Sequence, residues 1–174
     1  MQAKNNPAIP KPPAELILST PEHLVAFGFG AGLAPWAPGT FGTLVALPFW
    51  FVLSLLPPQI YALAVVALFV FGCWVCGASA RLLGVHDYGG IVFDEIVGFL
   101  IACAPLLMMA PGLKILWLLA AFGLFRFFDI LKPWPIRQLD ATVEGGLGIM
   151  LDDVLAGIYS AAVLWGAAAL LAQP

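Results

Sequence analysis

The sequence predicts an all-α fold, a multi-helical integral membrane protein of about four to five hydrophobic helices, and three observations predict it. Of 174 residues, 62% are hydrophobic and 10% charged, with a mean hydropathy of +1.00, whereas a soluble domain is roughly a quarter charged. Apolar runs of about 20 residues, enough to cross a hydrocarbon core of roughly 30 Å as a helix, recur between turns rich in proline and glycine. Finally, eight of the ten acidic residues fall between Asp87 and Asp153, so charge is segregated along the chain.

Taken in order, residues 1–22 carry five prolines, Lys4 and Lys11 and no apolar run long enough for a signal-peptide core. They read as a flexible polar arm that is not cleaved, which leaves 23–174 as a single helical membrane domain. The first apolar segment, 43–56, has only about 14 residues before Pro57-Pro58 and is either a short tilted span or a re-entrant arm. The segments 59–82, 91–110, 113–131 and 153–172 each reach the length of a span.

If all five cross, the N-terminal arm and the loops at 83–90 and 132–152 share one face. That face holds Lys4, Lys11, Lys132 and Arg137, with Arg81 and Arg126 at the nearest helix ends, against Lys114 alone on the other. The positive-inside rule makes the first face cytoplasmic. All eight acids from Asp87 to Asp153 then lie in the cytoplasmic loops or within about one turn of them.

Other function classes find little support. A net charge of -3 and a pI near 5.1 argue against nucleic acid, which calls for clustered Lys and Arg. Cys73-Trp74-Val75-Cys76 has redox-motif spacing but sits in an apolar helix, and with Cys103 the count is odd, so the cysteines read as packing residues. His23 and His86 read as solvated loop residues.

Three acidic clusters could carry chemistry. Asp94 and Glu95 lie about one turn into the third helix, ahead of some fifteen uncharged residues; a carboxylate pair just below the membrane surface must face protein, water or a cation. The plain alternative is stabilisation of a helix N-terminus, for which one acid suffices. Arg126, Asp129 and Lys132 are spaced three apart and share a helix face, either as a snorkelling anchor with Trp134 or as part of a site. There Pro133 and Pro135 would stiffen the exit and hold Lys132 and Arg137 for an anionic phosphate. Asp140, Glu144 and the run from Gly145 to Asp152-Asp153 lead into the last helix; an N-cap explains one of the paired aspartates, and a glycine-rich turn feeding both also suits a metal.

Upstream, Gly28-Phe29-Gly30-Ala31-Gly32 and Pro38-Gly39-Thr40-Phe41-Gly42-Thr43 could offer backbone N–H groups to a phosphate, although neither the dinucleotide fingerprint nor a P-loop is complete. So many carboxylates beside two or three cations would repel an anionic substrate unless a metal reversed the local sign. Oxygen ligands favour a hard ion such as Mg²⁺, and the reaction class is then phosphoryl transfer or hydrolysis at the membrane surface.

The blocks GFGAGLAPWAPGTFGT, DYGGIVFDEIVG, FRFFDILKPWPIRQLD and GGLGIMLDDVLAG resemble, in order and spacing, the bacterial phosphatidylglycerophosphatase A family over about residues 22–165. The resemblance implies an all-helical, Mg²⁺-dependent, multi-pass enzyme of the bacterial inner membrane, its site facing the cytoplasm, that removes the terminal phosphate of phosphatidylglycerophosphate to give phosphatidylglycerol. Because soluble relatives of the family are multi-helical, some apolar segments could pack on a helical core instead of crossing. On this reading Asp94, Asp129 and Asp153 coordinate the metal, with Glu95 and Asp152 completing the shell or positioning water. Lys132, Arg137, Asp140, Gly39 and Thr40 bind the substrate. Water attack is favoured over an aspartyl-phosphate, since no Asp-x-Asp-x-Thr nucleophile loop occurs. A CDP-alcohol phosphotransferase would need an Asp-Gly…Ala-Arg signature that is missing, and a cation channel would want acids at several depths.

Overall fold

The computed structural model describes residues 11–85, 87–109 and 114–171. Among them only helices and turns occur. The α-helices are α1 (Ala14–Ser19), α2 (Pro21–Ala26), α3 (Pro38–Leu53), α4 (Pro58–Leu83), α5 (Phe93–Ala102), α6 (Lys114–Leu131), α7 (Ile136–Thr142) and α8 (Gly145–Leu171), with 3-10 turns at Gly28–Leu33 and Ala104–Met108.

The centre of the molecule is α5. Phe93, Ile96, Val97, Gly98, Phe99, Leu100 and Ala102 are all buried, and α3, α4, α6 and α8 each pack against it. A helix that is apolar all round must be covered on every side, and here protein supplies the cover. The expected span at 91–110 is therefore corrected: its α-helix has ten residues and ends at Ala102, and the 3-10 turn follows. Tyr61 of α4 donates its hydroxyl to the Leu100 carbonyl at 2.6 Å near the end of α5, satisfying a group that a helix terminus leaves open.

Two helices, α4 with 26 residues and α8 with 27, are long and apolar enough to cross a membrane. Four of the expected segments met the length test from sequence. The third of them, α6, spans 18 residues and carries Lys114, Arg126 and Asp129, and α3 spans 16. The helix α8 begins at Gly145, eight residues before the expected start at 153, so the glycine-rich run forms its first turn. Most of its buried residues, Gly146, Ile149, Met150, Asp153, Ala156, Gly157, Ser160 and Leu164, follow the 3–4 spacing of a single helix face, and Gly148 and Asp152 beside that face are buried as well. Leu63, Val66, Val70 and Trp74 of α4, Ile115, Leu116 and Leu119 of α6, and Trp165 and Leu170 of α8 remain exposed, an apolar outer surface far beyond scattered single side chains.

Glycines decide how closely α8 approaches its neighbours. A Cβ on Gly157 would strike the Gly98 carbonyl oxygen, and one on Gly98 would come within 2.6 Å of the Asp153 carbonyl oxygen. Small residues at such crossings let two backbones touch. On the other side, Gly77 lies against the backbone of Gly146, with Gly146 set on the Cys73 carbonyl.

The second half of the expected arm is folded. Ile17 of α1 is fully buried, and the Lys11 ammonium donates to the Leu33 carbonyl at 2.9 Å; residues 1–10 lie outside the described residues. His23 is also corrected: it is 2% exposed, and its Nδ1 lies 2.8 Å from the Ser79 hydroxyl of α4. His86 lies outside the described residues.

Candidate active site

Three helices bring five carboxylates together at one end of the bundle. Asp94 and Glu95 sit in the first turn of α5, reached after residues 90–92 are anchored by the Val92 N–H donating to the Ala26 carbonyl at 2.8 Å. Asp129 comes from the last turn of α6 and Asp152 and Asp153 from the third turn of α8. Because the Gly98–Asp153 and Gly157–Gly98 contacts hold α8 against α5, Asp153 is pressed towards Asp94 and Glu95. One ligand oxygen from each of Asp94, Glu95 and Asp153 lies within 4.8 Å of the others, and the same holds for Asp129, Asp152 and Asp153.

Two cations engage three of these acids. Arg126 Nη1 lies 2.7 Å from Asp129 Oδ2, one turn on in α6, and 3.8 Å from Glu95 Oε1. The Lys132 ammonium donates to Asp152 Oδ2 at 2.6 Å and lies 3.1 Å from Asp140 Oδ1 on α7. Lys132 has φ +44, a left-handed conformation that ends α6 immediately before Pro133 and that costs a non-glycine residue about 1 kcal/mol or more. Burial works against the ammonium charge, but Asp152 and Asp140 outweigh it and hold the Lys132 pKa above the ordinary lysine value, so the side chain stays charged.

Not every ligand oxygen is used. Glu95 Oε2, Asp152 Oδ1 and Asp153 Oδ1 are buried without a hydrogen-bond partner, and Asp153 is only 2% exposed. A buried carboxylate is costly unless it is paired or coordinates a metal, so the donor set fits a hard divalent cation. The paired aspartates are not an N-cap, since α8 starts two turns earlier.

The remaining expected residues are spread around this cluster. Gly39, in the first turn of α3, lies directly against Glu95 and Arg126: a Cβ there would strike Glu95 Oε1 and approach Arg126 Nη1 to 2.9 Å. Thr40 follows it, its N–H donating to the Ala37 carbonyl at 2.9 Å. Gly28–Leu33 instead packs on the loop before α5, where a Cβ at Gly32 would strike the Gly90 carbonyl. Arg137 is exposed on α7, and among the described ion pairs it has no part. Arg126 was not among the expected site residues. Its signal was present in the three-residue spacing to Asp129, but its second partner, Glu95, is set only by helix packing. Also unforeseen is a cavity of about 320 Å³ beside the start of α3, lined by Lys11, Gly32, Pro38, Tyr88, Gly89 and Gly90 among others.

Comparison with known proteins identifies the family. The model of the family described as phosphatidylglycerophosphatase A matches residues 24–168, a stretch that includes every carboxylate above. The chain is 46% identical over 152 residues to the phosphatidylglycerophosphatase A of Escherichia coli strain K12, covering 87% of this chain and 86% of that protein. It is 47% identical over 163 residues to that of Haemophilus influenzae, covering 93% and 94%. A Bacteroides thetaiotaomicron protein described as a candidate phosphatidylinositol-3-phosphatase is 43% identical over 143 residues, covering 79% and 87%. No solved structure matches the chain. With the matched stretch running from α2 to near the end of α8, the chain belongs to the phosphatidylglycerophosphatase A family.

Proposed function

We propose that this protein hydrolyses phosphatidylglycerophosphate to phosphatidylglycerol and phosphate, with Mg²⁺, at the cytoplasmic face of a bacterial inner membrane that α4, α8 and the shorter apolar helices enter. The observation that carries it is the convergence of Asp94, Glu95, Asp129, Asp152 and Asp153 from three helices, with buried oxygens that no protein group satisfies. These five carboxylates would hold the metal. Bound there, the ion supplies positive charge against the phosphate and lowers the pKa of water.

The protein's own groups do the rest. Arg126 and Lys132 each grip one carboxylate oxygen and so fix Asp129 and Asp152 in orientation. Lys132 at the cluster and, from α7, the exposed Arg137 would meet phosphate oxygens, and Gly39 and Thr40 stand at the amino end of α3, beside Glu95 and Arg126, where the helix dipole favours an anion. Asp140 keeps Lys132 turned towards the site. A water oxygen bonds to phosphorus as the ester bond to the glycerol oxygen breaks. The water's proton passes to a carboxylate with a free oxygen, Glu95 or Asp152, and the leaving oxygen takes up a proton. A lipid substrate is further supported by an apolar groove of about 700 Å³ between α3 and α4, lined by Pro48, Phe49, Val52, Leu53, Ala64 and Phe71 among others, which suits an acyl chain.

The test is phosphate release from phosphatidylglycerophosphate by purified protein in detergent, with Mg²⁺ or with chelator. Metal-dependent release that falls more than about 100-fold in Asp94→Asn and in Asp153→Asn is the expected outcome. Release that ignores the chelator, or persists in both variants, overturns the reading.

A further inference from the structure

We propose that the site holds two divalent cations, bridged by the Asp153 carboxylate. This rests on the metal-dependent reading above and goes beyond it in number and arrangement. The five carboxylates divide into two sets of three: Asp94 and Glu95 with Asp153, joining α5 to α8, and Asp129 and Asp152 with Asp153, joining α6 to α8. Within each set the ligand oxygens lie inside 4.8 Å of one another, a spread that a six-coordinate cation with oxygens at about 2.0–2.4 Å spans. Asp153 alone belongs to both.

Two further observations point the same way. Each set contains a buried oxygen of its own without a partner, Glu95 Oε2 in the first and Asp152 Oδ1 in the second, and the shared residue contributes a third, Asp153 Oδ1. Asp153 lies on the buried face of α8 between Ile149, Met150 and Ala156, a place where an unpaired carboxylate is costly. The arrangement of cations divides likewise: Arg126 spans the sets, with Asp129 on one side and Glu95 on the other, while Lys132 takes Asp152 Oδ2 and leaves Oδ1 free.

Charge decides between one ion and two. With every carboxyl deprotonated, as metal ligation requires, six carboxylates including Asp140 face the two ion-paired side chains Arg126 and Lys132, which leaves four negative charges. One divalent ion would leave the cluster at minus two before a phosphate monoester adds about −1.5 to −2 of its own; two would leave it neutral. Moreover, Mg²⁺ is usually held by one or two carboxylates plus water and substrate phosphate, so five around a single ion would be unusual, whereas three around each of two, one of them shared, is closer to that habit.

The experiment uses the full-length protein in detergent, stripped of metal and titrated with Mn²⁺, followed by equilibrium dialysis and electron paramagnetic resonance without substrate. Two Mn²⁺ per chain, spin-coupled as expected for ions about 3.5–4 Å apart, with coupling lost in Asp153→Asn, is the predicted result. One Mn²⁺ per chain overturns the pair but leaves the single-metal reading standing; none overturns both. Two uncoupled ions, or coupling that survives Asp153→Asn, overturn the bridge.

Discussion

At the scale of single residues, the polar groups of this protein divide into those that find protein partners and those that do not. His23 is of the first kind. Its imidazole is buried against Ser79, and burial lowers its pKa from the ordinary 6.5, against the opposing pull of Glu22. In the folded chain it stays neutral while the unfolded chain takes up a proton near pH 6.5. Its contribution to stability is therefore complete above about pH 6.5 and is lost as the pH falls through that value towards the lower folded one, at up to about 1.4 kcal/mol per pH unit. A thermal-unfolding series between pH 7.5 and 5 should show Tm falling at the acid end, and His23→Gln, which keeps a hydrogen-bonding group, should flatten that fall. A slope unchanged in the variant would assign the acid sensitivity elsewhere. Asp153 belongs to the second kind, since its Oδ1 is buried with no protein partner, which is the observation behind its place in the proposed metal site.

At the scale of helices, the site depends on how closely α5 and α8 approach. Gly98 and Gly157 face each other across that crossing, each with no room for a side chain. Gly157→Val should force α8 outward, separate Asp153 from Asp94 and Glu95, and cost about 1–3 kcal/mol of stability as overpacking, together with most of the phosphatase activity. Gly123 of α6 and Gly166 of α8 face open space, with nothing within 4 Å of where a Cβ would stand, so Gly123→Ala and Gly166→Ala should be neutral or stabilising by about 0.5–1 kcal/mol, as expected for glycine replaced inside a helix. Unfolding temperatures and phosphate release measured on all three separate crossing geometry from helix propensity. Full activity in Gly157→Val would mean that the crossing does not set the site.

At the scale of the whole molecule, charge is polarised along the bundle. Lys11, Arg81, Arg126, Lys132 and Arg137 lie at the end that carries the carboxylates, where α4 finishes and α8 begins, and Lys114 at the start of α6 lies at the other. The positive-inside rule then predicts the site end in the cytoplasm. In a chain whose three native cysteines are replaced, a single cysteine at exposed Gln138 should react with an impermeant maleimide only after the cells are opened, and one at exposed Gln59 should react in intact cells. The reverse pattern would place the site outside.

Much of this was written in the sequence because it depends on local composition. The helical class, the bounds of α4 within one residue, and the gathering of Asp94, Glu95, Asp129, Asp152 and Asp153 all follow from hydropathy, turn residues and the order of the acidic blocks. What only the tertiary structure decided is which apolar surface meets lipid and which meets protein. Hydropathy reports that a segment avoids water without saying what covers it, so α5 read as a span although its neighbours bury it. For the same reason His23, which carries no periodic signal of its own, read as a solvated residue until Ser79 came to meet it across 56 positions of sequence. The start of α8 at Gly145 was hidden by glycines that read as a turn and instead serve a helix crossing. The sharing of Asp153 between two carboxylate sets was hidden as well, because contacts among α5, α6 and α8 are long-range and the spacing of residues along one chain does not encode them.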